Sequence, residues 1–302
     1  MPRPRCGVTL IELLVALVVC GTVLGLVATI SIREQRVFND LAAVASSDAQ
    51  LRDAGSLLPI DLRPLAPGAG DIREGEARDT SLELRATIAS AVVCDTTSTA
   101  LILAPSGRGS TAYGSVATPI EAGDTAWLYT PADTTDEWRP FRVAATSEAT
   151  AAPCAALAPQ LADADRALPR IVVALDAPSM QGSALGVPVR ITRPRRYSLY
   201  RASDGLSYLG EREWNSATLR FNGIQPVAGP FASATENGAV FRYLDSTGAA
   251  LAFPVASPRA IALIQVDLRV QTRSSLRAPG KGAILGEHVD SASVVVFLHN
   301  RR

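Results

Sequence analysis

A single carboxylate stands inside the longest apolar run of this sequence. Between Val8 and Ile30 the only charged residue is Glu12, with the hydroxyl of Thr9 three positions before it. An ionised carboxylate in a hydrocarbon layer costs about 2.5–3.5 kcal/mol on insertion scales, so an ionisable residue there is a functional candidate by default. Two arrangements would satisfy it. A cation from another polypeptide in the same membrane could neutralise it, because the run holds none of its own. Alternatively, lying one turn from the headgroups, it could reach back to water.

The other residues able to do chemistry are scattered. Arg190, Arg193, Arg195, Arg196 and Arg201 form the densest cationic stretch, with Tyr197 and Tyr200 interleaved. Arginines with aromatics can hold single-stranded nucleic acid by charge and stacking. Yet 29 basic residues against 29 acidic ones leave no net charge and exclude a chain-wide nucleic-acid footprint. Alternation along a strand would split these side chains between two faces, so a solvated sheet surface is expected rather than a nucleic-acid site.

Catalytic signatures are missing from the sequence. It contains no Gly-x-Ser-x-Gly elbow, no Walker loop and no His-Glu-x-x-His pair. Gly280-Lys281-Gly282 lacks the following Ser/Thr of a phosphate loop and reads as a turn. His288 and His299 are too few for most histidine metal sites, and Asp163 and Asp165 read as loop carboxylates. The expectation is a protein that is not an enzyme and uses no cofactor.

These residues must be positioned by elements of two kinds. The apolar run spans 23 residues, about 34 Å as a helix, enough to cross a hydrocarbon core of roughly 30 Å. No polar face interrupts it, as one would in a core helix, and no small-x-small site closes it, as in a secretory signal. Arg3 and Arg5 before it favour a cytoplasmic N-terminus. From residue 31 to 58 helical spacing continues through Val37, Leu41, Val44 and Leu51, an apolar stripe suited to lie against a soluble domain. Pro59, Pro64 and Pro67 end that pattern.

Beyond a loop at 64–75, short β-type runs alternate with turn signals. They are 82–88, 100–103, 125–129, 141–145, 171–175, 187–192, 197–200, 207–209, 240–244, 260–270 and 294–298. Asp204-Gly205 marks a hairpin, Asp245 to Gly248 a second turn, and 104–124 and 146–169 surface loops. The fold class is therefore α+β: one long N-terminal helix and a large, mostly antiparallel β domain. Four cysteines divide by location: Cys6 precedes the span and Cys20 lies within it, while Cys94 and Cys154 fall in the extracytoplasmic part. There they form either one bridge or two separate thiols, and an oxidising compartment favours the bridge.

The segment Gly7-Val8-Thr9-Leu10-Ile11-Glu12-Leu13-Leu14-Val15-Ala16-Leu17 resembles the prepilin motif of type IV pilins and type II secretion pseudopilins. The resemblance implies a leader, residues 1–7, removed between Gly7 and Val8 by a prepilin peptidase, and N-methylation of Val8. It implies that Glu12, with Thr9 beside it, serves assembly by pairing with the amine of a neighbour's Val8. The partners implied are other pilin-like subunits, the peptidase and an inner-membrane assembly platform. The domains implied are the leader 1–7, the span 8–30, its amphipathic continuation 31–58, and a periplasmic head 59–302, on an inner-membrane protein with a cytoplasmic N-terminus. Two features depart from the family pattern: valine stands first where phenylalanine or methionine is usual, and Thr29 stands where a proline often kinks the helix.

A second resemblance rests on degenerate motifs near the C-terminus: 238–248 with its Phe-Arg-Tyr core, 258–273, and 294–301. These are similar to the final strands of large minor pilins, called W in type IV pilus systems and J in type II secretion. Removing the leader keeps 295 of 302 residues, a bulky head for a fibre subunit that must repeat. The readings set against this are a membrane-anchored binding domain or enzyme unrelated to pili and, within the family, a minor pilin for DNA uptake.

Overall fold

The computed structural model describes residues 9–105, 113–130, 137–149, 154, 161, 165, 168–178, 185–272, 276–277 and 284–298. Helix α1 covers Leu10–Leu62 without a break, 53 residues in all. It passes Gly21, Gly25 and Thr29 as well as Pro59, where the sequence pattern places its end. Pro59 cannot donate a hydrogen bond one turn back, a loss the helix tolerates because its last turn is fixed by other means. Arg63 N still donates to Pro59 O at 3.0 Å, and Leu58 and Leu62 are fully buried.

Sixteen strands follow among the described residues: β1 Ile72–Ala77, β2 Ser81–Thr96, β3 Ala100–Leu103, β4 Gly114–Val116, β5 Thr125–Thr130, β6 Glu137–Ala149, β7 Arg170–Leu175 and β8 Pro188–Arg201. Then come β9 Ser207–Asn215, β10 Arg220–Phe221, β11 Gln225–Phe231, β12 Ala239–Leu244, β13 Leu263–Gln271, β14 Leu276–Arg277, β15 Ile284–Gly286 and β16 Val289–Phe297. The α+β class is observed. Several expectations are corrected. The runs at 187–192 and 197–200 are one strand, β8, continuous through Pro194. The loops expected at 64–75 and 104–124 carry β1 and β4, and β6 extends into the loop expected at 146–169.

The chain divides into two compact units, residues 1–50 with 270–290 and residues 51–269 with 291–302. In the first, most of α1 leaves its apolar residues exposed. That includes Val37 and Leu41 of the stripe expected to be covered. The same unit holds the β14–β15 hairpin, closed by Thr272 N donating to His288 O at 2.9 Å and His288 N donating to Thr272 Oγ1 at 2.8 Å.

In the second unit six strands close on themselves in the order β2-β3-β7-β6-β5-β8 and back to β2, every pair antiparallel. Such a small barrel is filled by side chains. Each strand contributes to one buried cluster, with Val93, Leu101, Leu128, Val143, Val173, Val189 and Ile191 at its centre. A bulge at Ile88 lets β2 bend, and the Ile88 carbonyl accepts instead from Ala117 N at 2.9 Å. Beyond the barrel, β2 and β8 extend the sheet to β1, β9 and β11, and β12-β13-β16 make a separate three-stranded sheet. Hairpin β8–β9 turns at Asp204-Gly205 as expected, with Ala202 N donating to Leu206 O at 2.8 Å.

A disulfide joins Cys94 on β2 to Cys154, with Cα atoms 4.4 Å apart. Cys94 belongs to a second buried cluster with Ile102, Ala104 and Leu161, and Cys154 packs against it.

Candidate functional site

At its N-terminus α1 must satisfy backbone N–H groups that have no partner one turn earlier. Thr9 does this as the cap: its carbonyl accepts from Leu13 N at 3.2 Å, and its hydroxyl accepts from Glu12 N at 3.3 Å. The Glu12 carboxylate returns the bond, accepting from Thr9 N and Thr9 Oγ1, both at 3.0 Å. This reciprocal capping box is a third arrangement for Glu12, distinct from a foreign cation or bulk water. The positive end of the helix dipole favours a carboxylate there. The pattern Thr-x-x-Glu at 9–12 is the sequence signal for it. Gly7 and Val8 lie outside the described residues.

Around this cap the helix presents an unbroken apolar surface. Leu10 is 83% exposed, and Leu13, Leu14, Leu17, Val18, Leu24 and Leu26 are more than half exposed. By length and composition this is the one described helix able to cross a membrane.

The arginines of β8 do something other than coat a sheet. Alternation sends Arg190 and Arg196 to one face and Arg193, Arg195 and Tyr197 to the other, as the strand period requires. None of Arg190, Arg193, Arg195 and Arg196 is left as a solvated cation, which corrects the expected surface. Arg190 grips Asp71 with both terminal nitrogens, at 2.6 and 2.8 Å, and stacks on Trp127 and Trp138. Asp71 also accepts from Ala66 N at 2.7 Å. Burial pushes the Asp71 carboxyl up, with Arg190 pulling it back down. Arg193 is bidentate to Asp124 at 2.8 and 2.9 Å, a bond that holds its proton more tightly. Arg196 bonds Glu83 directly across the β2–β8 ladder at 2.5 Å.

Arg195 is the hub. It reaches Asp61 in the last turn of α1 at 2.5 Å, and Glu211 and Glu213 on β9 at 2.9 and 2.8 Å. Tyr197 OH also donates to Asp61. Asp61 occupies the unfavourable end of the helix dipole with no basic residue in that turn, so Arg195 supplies the missing positive charge from 134 residues away. Burial alone would weaken the hold of Arg195 on its proton, but Asp61, Tyr197 and Glu211 reverse that. Burial and then Asp61 raise Tyr197, and burial raises Glu211. Beside this hub Leu51, Ala54, Leu58 and Leu62 form the buried stripe of the helix. None of the carboxylate partners was assigned from sequence, because register and long-range packing select them.

Among the described residues no cluster of three His, Cys, Asp or Glu side chains could hold a metal ion. Taken together, the site comprises a capped apolar helix and an ionic junction that fixes the final turns of that helix to a β head.

Comparison with known proteins bears on the first part alone. Residues 2–28 match the family model described as the prokaryotic N-terminal methylation motif. The match supports the type IV pilin-like class, a single-pass anchored protein with a processed N-terminus. No curated protein and no solved structure matches the chain.

Proposed function

We propose that this chain is a minor pilin or pseudopilin, a low-copy assembly subunit of a type IV pilus or type II secretion pseudopilus. The observation that carries the reading is the methylation motif on an exposed apolar helix that continues into a β-rich head. In this reading the N-terminus is cytoplasmic, the head is periplasmic, and a prepilin peptidase cuts between Gly7 and Val8. The chain performs no catalysis; chemistry is done to it. A bulky head in every position would crowd a helical fibre, which favours low stoichiometry, and the C-terminal resemblance supports the W or J type. The internal pairing of Arg190, Arg193, Arg195 and Arg196 removes the main motive for a nucleic-acid role.

Assembly then exchanges partners at Glu12. Before assembly Thr9 and the helix N-terminus hold the carboxylate; in the fibre the Val8 amine of a neighbour takes it, strengthened by the low dielectric of the surroundings. Glu12→Leu should insert at least as well as the natural chain, since a desolvation cost is removed, yet lose crosslinking to pilin-like neighbours. Intact mass should show loss of residues 1–7, and Gly7→Ala should block that loss. Wild-type crosslinking by Glu12→Leu, or an uncut chain beside an active peptidase, would overturn the proposal.

A further inference from the structure

Two short 3-10 turns, Pro67–Ala69 and Pro258–Ala260, meet across an open cavity of about 630 Å³. Its lining includes three arginines, Arg73, Arg85 and Arg259, against one carboxylate, Glu74. On β8 Arg190, Arg193, Arg195 and Arg196 are each matched to acids; in this cavity two of the three arginines are not. Arg73 is committed to Glu83 at 3.1 Å, but Arg85 and Arg259 make no ion pair among the described residues. The nearby acid Asp71 is occupied on both oxygens by Arg190 and Ala66 N.

We propose that this cavity binds a small oxyanion, a phosphate- or carboxylate-bearing group, with Arg85 as the fixed fork and Arg259 as its mobile partner. The proposal goes beyond the assembly reading and does not depend on it. Arg85 is held before any ligand arrives. Its Nη1 donates to Gly70 O at 2.6 Å, and its plane lies over the Trp127 ring at 5.3 Å. Gly70 has φ +81, and a Cβ there would lie 3.2 Å from Arg85 Nη1, so glycine permits the guanidinium to seat against that carbonyl. The remaining guanidinium N–H groups of Arg85 have no acceptor among the described residues.

A guanidinium presents paired N–H groups that match two oxygens of a phosphate or carboxylate, and a fork already ordered loses less entropy on binding. The surroundings leave positive charge to be balanced. Burial, and then the proximity of Arg73 and Arg190, lower the proton affinity of Arg85 against the pull of Asp71. An anion in the cavity offsets both effects. Ser257, at the start of the second turn, makes no capping bond with its hydroxyl and lines the same space.

The test uses the full-length protein in detergent micelles, titrated calorimetrically with inorganic phosphate and, in parallel, with citrate, at constant ionic strength set by chloride. Saturable binding at one site per chain is expected for at least one anion. Preference for phosphate identifies a phosphoryl ligand and preference for citrate a carboxylate one. Arg259→Glu, at an exposed residue whose side chain makes no hydrogen bond or ion pair among the described residues, should weaken binding at least tenfold. Arg85→Lys keeps the charge but loses the fork and should weaken it severalfold. Absence of saturable binding for both anions, or binding unchanged in both variants, would overturn the proposal. Loss of Gly7 processing would leave this site untouched, so the two readings fail separately.

Discussion

Glu12 and Asp61 lie near opposite ends of one helix, and their carboxylates are satisfied in opposite ways. Glu12 sits at the positive end of the dipole and is held by a residue three positions away. Asp61 sits at the negative end, where it is unwelcome, and is held by Arg195 and Tyr197 of a distant strand. The first arrangement is local and needs nothing beyond the first turn of the helix. The second exists because the head has folded, and it fastens the final turns of α1. A single helix therefore carries one end held by its own residues and one end held by the rest of the fold.

Breaking a buried ion pair of β8 should have the largest effect. Arg190→Ala leaves Asp71 buried without its guanidinium, which should cost up to about 5 kcal/mol, read as a lowered urea midpoint by tryptophan fluorescence. Arg36→Ala on the exposed part of α1 should stay within about 0.5 kcal/mol. Equal effects would mean that the β8 pairs are no firmer than surface charges.

Replacing both Cys94 and Cys154 with serine should cost about 4 kcal/mol, given the 60-residue separation that the bridge spans. The same unfolding assay reads this, with the reduced natural protein as control. No change on reduction would remove the bridge from the stability of the head.

A contrast along the helix comes next. Leu58→Ala, at a fully buried position, should lose about 3 kcal/mol, whereas Leu41→Ala, at an exposed one, should lose almost nothing from the isolated subunit. A loss at Leu41 measured only in the assembled fibre would instead identify it as a contact between subunits.

The smallest effect concerns pH. Burial raises Glu211 above its ordinary 4.5, so the folded state binds its proton more readily than the unfolded chain does. The stability linked to Glu211 is complete below 4.5 and is lost as pH rises through the raised value. Glu211→Gln should therefore flatten the change in urea midpoint as pH rises above 4.5. An identical pH dependence in the two proteins would show that Glu211 does not couple to the Arg195 hub.

Much of the helix was legible because its determinants are local. An apolar run of 23 residues demands internal backbone pairing, and a helix provides that within one segment. Turn chemistry likewise announced the Asp204-Gly205 hairpin. Pro59 misled as a stop, because packing of Leu58 and Leu62 outweighs one missing hydrogen bond. Val37 and Leu41 misled as a covered stripe, since helical spacing reveals a face but never what lies against it.

The arginines of β8 mark the boundary more sharply. Their number and spacing are plain in the sequence, and strand alternation divides them correctly between two faces. Whether each meets water or a carboxylate depends on registers that join residues more than a hundred positions apart, such as Arg190 with Asp71 and Arg195 with Asp61. Closure of the barrel through β2 and β8 is of the same kind, since no short segment encodes which strand returns to which. The sequence alone determined an apolar helix long enough to cross a membrane and a β-rich remainder, because charge, hydropathy and turn preference act over a few residues. Only the tertiary structure decided where the cations are neutralised, because electrostatic pairing in a folded head is set by three-dimensional proximity, and proximity is the product of the whole fold.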